Sequence, residues 1–74
     1  MDFCQRLLQL RTERGVTQGA VAQACQMTLR QYHRFEKGEQ KPGFDNLLRI
    51  ADFYGVSVDW LMGRPQRREV WTEH

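Results

Sequence analysis

Residues Thr17–Gly38, TQGAVAQACQMTLRQYHRFEKG, carry the apolar spacing of two short helices joined by a tight turn. Thr17 can cap the first, which starts at Gln18 and is expected to bury Val21, Ala22 and Cys25. Ala22 is small enough to let the two helices approach closely. Cys25-Gln26-Met27 then redirects the chain, with Met27 directed inward. The second helix opens at Thr28, whose hydroxyl can hold free amides of the first turn, and closes at Gly38, which accepts a left-handed conformation. At about 100° per residue, Thr28, Gln31, Tyr32 and Phe35 fall on one side, and Leu29, Arg30, His33, Arg34 and Lys37 on the other. The first side packs and the second is offered outward. A solvated charged face is the plain reading of that second side. Such faces usually mix both signs, however, and residues 15–34 hold no Asp or Glu in a chain with nine acids. The bias suits an anionic partner.

Outward from this pair, Asp2 to Arg14 reads as a first helix with Asp2 as cap and Phe3, Leu7 and Leu10 on one stripe, flanked by Cys4 and Leu8. Gly15 ends it and Val16 turns inward. Gly38 to Gly43 is too rich in breakers to be regular. A fourth helix follows from Phe44 to Tyr54, with Asp45 in its first turn, and Phe44, Leu47, Leu48, Ile50, Ala51 and Tyr54 as its expected core layer. Gly55 stops it. A short fifth helix starts after Ser57, with Val56, Val58 and Leu61 facing in.

Thr17-Gln18-x-x-Val21-Ala22, Met27 in the turn, Tyr32, and Phe35-Glu36-Lys37-Gly38 together resemble the helix-turn-helix of the lambda-type phage repressor and Cro family, also called XRE. The resemblance runs from about Leu7 to Gly63. It implies an all-α, five-helix lambda-repressor-like domain over residues 1–63, with the helix-turn-helix at helices 2 and 3. It also implies sequence-specific binding of double-stranded DNA and transcriptional regulation, more often as a repressor. By the same resemblance Arg11 pairs with Glu36, tying the first helix to the end of the recognition helix, and Gln18 touches the DNA backbone. The region around the fifth helix, with the loop before the fourth, would join two subunits into a homodimer. Two residues depart from the pattern. Gln26 stands where these proteins often have Gly, and Leu29 replaces a polar residue that in some relatives bonds to the Gln opening the preceding helix. No operator sequence is therefore carried over.

An α-helix fits the DNA major groove, and Arg30 and Arg34 have the donors to read guanine O6 and N7, each good bidentate contact giving about 1–3 kcal/mol of discrimination. Leu29 suits a thymine methyl. His33 suits a base or a phosphate, and an ordinary surface histidine explains it equally well. Gln18, Thr28, Lys37 and Lys41, with the amides opening the fourth helix, are the candidate phosphate contacts. Arg14, Arg64, Arg67 and Arg68 would add to the field.

Seventy-four residues make room for one domain, and the net charge of +2 says less than the clustering of the basic groups. No apolar run approaches the ~18 residues of a membrane span, and the N-terminus has no signal-like segment, so a cytoplasmic protein is expected. Cys4 and Cys25 are expected as core thiols rather than a bridge, and no metal-ligand spacing or cofactor motif is present. Ser57, the single serine, suits a cap better than a nucleophile, and neither cysteine has a histidine beside it in sequence. An enzyme is not expected. The rival function is a protein-interaction module, such as the antitoxin of a toxin–antitoxin pair. The polar segment 64–74 carries Val70 and Trp71. With Trp60 and Met62 these could form an apolar patch for a second copy, or the segment could fold back on its own domain.

Overall fold

The computed structural model describes residues 2–63, which form five α-helices: α1 (Phe3–Arg14), α2 (Gln18–Ala24), α3 (Leu29–Lys37), α4 (Phe44–Tyr54) and α5 (Val58–Leu61). Residues 64–74 lie outside the described part. The expectations for Arg64, Arg67, Arg68, Val70 and Trp71, and for a separate C-terminal tail, fall there.

Local chemistry sets the helix starts. Asp2 accepts the Gln5 amide at 3.0 Å while the Gln5 side chain accepts the Asp2 amide at 3.1 Å, a reciprocal capping box. Thr17, Thr28 and Ser57 accept from the amides of Ala20, Gln31 and Trp60. The α4 cap is Gly43, which has no side chain to offer, so the first amides of α4 gain no such bond.

Three helices end in the same way. After α3, Gly38 donates to Phe35 and Glu39 to Arg34, and after α4, Gly55 donates to Asp52 and Val56 to Ala51. This is the paired closure built on one left-handed residue. After α2, Gln26 donates to Gln23 and Met27 to Ala22, with Gln26 at φ 59°. A side-chain-bearing residue thus does here what glycine does at Gly38 and Gly55, at a conformational cost of about 1–2 kcal/mol.

The core is built from Leu7 and Leu10 of α1, Val21 and Ala22 of α2, Cys25, Tyr32 and Phe35 of α3, Leu47, Ile50, Ala51 and Tyr54 of α4, Val56, and Leu61. Phe3, Val16, Met27, Val58 and Trp60 are partly buried against it. Helix α3 packs on both α1 and α2, which leaves one of its faces uncovered. Cys4 and Cys25 are free thiols, Cys4 half-buried and Cys25 buried.

Two expected core residues of α4 lie outside instead. Phe44 is 70% exposed and Leu48 37%. Around the helix, the buried residues Ile50, Tyr54, Leu47 and Ala51 span an arc of about 100°; Phe44 falls about 20° beyond its edge and Leu48 about 60°. Phe44 is also the first residue of α4, with no preceding turn beside it. Thr28 corrects the packing face of α3 in the same sense: it is exposed and serves as cap, and Gln31 is only half-buried.

Candidate nucleic-acid interface

The outward side of α3 presents Leu29, Arg30, His33, Arg34 and Lys37, all exposed, directly opposite the fully buried rings of Tyr32 and Phe35. The two aromatic rings fix the rotation of the helix about its own axis, and so fix which residues face solvent. Leu29 is 54% exposed, a large apolar side chain open to solvent. Among the described residues no carboxylate lies within 4.0 Å of Arg30 or Arg34. Lys37 has Glu39 at 3.9 Å, both more than half exposed, a geometry worth little in water. The face therefore keeps its positive charge.

Behind the face, a polar network holds α3 in place. Arg11 donates through Nε to Glu36 Oε2 at 2.6 Å and through Nη1 to the Val16 carbonyl at 3.1 Å. Gln18 donates through Nε2 to Glu36 Oε1 at 3.0 Å, so one carboxylate from α3 gathers α1 and α2. Burial pushes the Glu36 carboxyl up, but hydrogen bonds from Arg11, Gln18 and Tyr32 outweigh burial and hold it below the usual carboxylate range. The Tyr32 and Tyr54 hydroxyls meet at 2.8 Å inside the core, where burial first and their mutual contact second raise Tyr32 well above an ordinary phenol. Both hydroxyls are thus neutral hydrogen-bonding groups at any ordinary pH.

Residues 7–61 match the family described as Helix-turn-helix. The chain belongs to that family, in its XRE-type branch. It is similar to the cryptic phage CTXphi transcriptional repressor RstR of Vibrio cholerae, at 36% identity over 64 residues, 86% of this chain and 57% of RstR. A transcriptional regulator from Listeria innocua superposes with a TM-score of 0.80 at 30% identity, covering 97% of this chain and 65% of that one. The P22 c2 repressor protein, solved in complex with a synthetic operator, shares the fold with a TM-score of 0.81 at 21% identity, covering 84% of this chain and 94% of the repressor. The chain spans about half the length of the curated relatives it matches. Within this helix-turn-helix, α2 is the first helix and α3 the second.

The candidate phosphate contacts are more scattered than the exposed face of α3. Thr28 caps α3 and Lys37 ends it, and Lys41 is exposed in the loop before α4. Thr28 uses a lone pair on the Gln31 amide and keeps its hydroxyl proton to donate. Gln18 is half-buried with one of its two side-chain N–H groups on Glu36. The uncapped amides of α4 face outward beside Asp45, whose charge opposes that of a phosphate.

Two basic residues prove to be internal ties that no local pattern marked. Arg14 does not merely add to the field: it donates to the carbonyls of Tyr54 at 2.9 Å and Phe53 at 3.4 Å, closing the C-terminal end of α4. Arg6 donates to the Trp60 carbonyl and lies over the Trp60 ring, 4.5 Å from its centroid, so α1 grips α5. Trp60, a candidate for contact between subunits, is therefore partly covered by its own chain. Met62, at 53% exposure, remains open. Among the described residues no helix is long and apolar enough to cross a membrane, and no three His, Cys, Asp or Glu side chains gather as metal ligands would.

Proposed function

We propose that the chain binds a particular sequence of double-stranded DNA and regulates transcription, acting as a repressor, with α3 in the major groove. The observation that carries this reading is the exposed, uncompensated basic face of α3, set opposite two fully buried rings in a helix-turn-helix chain. Support comes from RstR, named a transcriptional repressor, and from the P22 c2 repressor, solved in complex with a synthetic operator. In this reading Arg30 and Arg34 take guanine edges, Leu29 a thymine methyl and His33 a base or an adjacent phosphate. Thr28, Lys37 and Lys41 fix the register on phosphates. Gln18, with one side-chain N–H on Glu36, contributes its second N–H to the DNA backbone.

One recognition helix covers few base pairs, so two copies act together on half-sites about 34–36 Å apart. Phe44, Leu48 and Met62 are the exposed apolar groups available for that association, with Trp60 secondary because Arg6 shields it. The role is binding rather than catalysis, in the cytoplasm where the DNA is.

Selection of bound sequences from a random duplex pool, followed by titration at several salt concentrations, tests the reading. An enriched sequence should bind more tightly than random duplex at every salt concentration, and affinity should fall with a slope of about −0.9 per phosphate neutralised. Weak binding that is blind to sequence would overturn it.

A further inference from the structure

Where the end of α3 meets the start of α1, a cavity of about 560 Å³ opens. That volume lies within the range of about 300–1,000 Å³ typical of small-molecule sites. Its apolar walls come from separate elements: Phe3 and Cys4 from α1, Leu47 from α4, and Met62 from just beyond α5. Lys37 and Lys41 also line it, against a single acid, Asp2. The Asp2 carboxylate is already engaged by the Gln5 amide at 3.0 Å and the Cys4 thiol at 3.3 Å. Lys41 has no carboxylate within 4.0 Å among the described residues, and Lys37 has only the exposed Glu39 at 3.9 Å. An apolar hollow with an excess of ammonium groups calls for a ligand with a fatty body and an anionic end.

We propose that this cavity binds an anionic amphiphile, an aliphatic chain ending in a carboxylate, with the chain against Phe3, Cys4, Leu47 and Met62 and the head at Lys37 and Lys41. The assignment turns on the sign of the charge, two lysines against the one acid Asp2, with the neutral Gln40 amide also in a lining that is otherwise apolar side chain and loop backbone. One consequence rests on the function proposed above: the same two lysines serve DNA phosphates there, so the bound carboxylate and the duplex compete.

The test titrates the full chain, free of DNA, with sodium decanoate below its micelle-forming concentration, following backbone amide shifts by NMR. Saturable shifts are expected at Cys4, Gly38, Leu47 and Met62. Decanol, with the same chain and no charge, should bind about ten-fold more weakly, and so should decanoate to Met62→Glu, an exposed position where an acid opposes the ligand. Added decanoate should weaken duplex binding by the wild-type chain, and decanol at the same concentration should weaken it far less. Absent or non-saturating shifts, equal binding of decanol, or an unaffected Met62→Glu would each overturn the proposal. Shifts at these residues on deleting 64–74, without response to decanoate, would assign the cavity to the chain's own end. Shifts that follow protein concentration instead would assign it to a second copy, and either result equally overturns it. A chain that takes up decanoate but binds no duplex would refute the DNA reading and leave this site standing.

Discussion

Glu36 is nearly out of solvent, with its side chain 4% exposed, and is held from two sides by Arg11 and Gln18. Its carboxyl ionises more readily folded than unfolded. The stabilisation this brings is complete above the unfolded-state value of about 4.3 and is lost as pH falls through the lower folded-state value. Glu36→Gln should therefore cost about 3 kcal/mol at neutral pH, because Arg11 is left without its partner charge, and should lose less further stability than the wild type between about pH 4.3 and 2. Melting temperatures of both proteins across that window check the sign; parallel acid limbs would contradict it. At this scale the sequence was only partly readable. An arginine beside the apolar stripe of α1 was visible, but its direction toward Glu36 came from the family resemblance. Arg14 and Arg6 were opaque because their targets are main-chain carbonyls about 40 and 54 residues away, and no side-chain type announces a carbonyl.

Among the elements, the turn between α2 and α3 carries the one left-handed residue other than glycine among the described residues. Gln26→Gly should raise stability by about 1 kcal/mol, seen as a rise of about 4–8 °C in melting temperature for a domain of this size. A fall would mean that the Gln26 side chain makes up for its backbone. The grip of α1 on α5 gives a second outcome. Arg6→Ala removes both a charged donor to the Trp60 carbonyl and a stacked cation, and should cost about 2 kcal/mol, with faster amide exchange concentrated in α5. Unchanged exchange there would show that apolar packing by Val58, Trp60 and Leu61 holds the helix without Arg6. Element boundaries were the most legible part of the chain, because Asp2, Thr17, Thr28 and Ser57 each carry the capping bond that their chemistry suggests. The width of a buried face was not legible. Apolar spacing shows that α4 is amphipathic, and only the neighbouring helices decide that coverage stops short of Phe44 and Leu48.

For the molecule as a whole, one face holds the uncompensated charge while the buried network behind it fixes the angle at which that charge is shown. Phe44 is the largest exposed apolar side chain among the described residues, and its outward position surfaced only from the three-dimensional arrangement. In a paired complex, sedimentation should find two wild-type chains on the selected duplex and one chain of Phe44→Glu, with the substitution leaving the melting temperature within a few degrees because the site is open to water. A single wild-type chain on its best site would remove the dimer. The proposal that α3 reads base edges meets its most direct test in the binding of Arg34→Ala and Lys41→Ala to the selected sequence and to random duplex. Arg34→Ala should weaken selected-site binding by about 1–3 kcal/mol more than random binding, while Lys41→Ala should weaken both alike. Equal losses for Arg34→Ala on the two duplexes would contradict it.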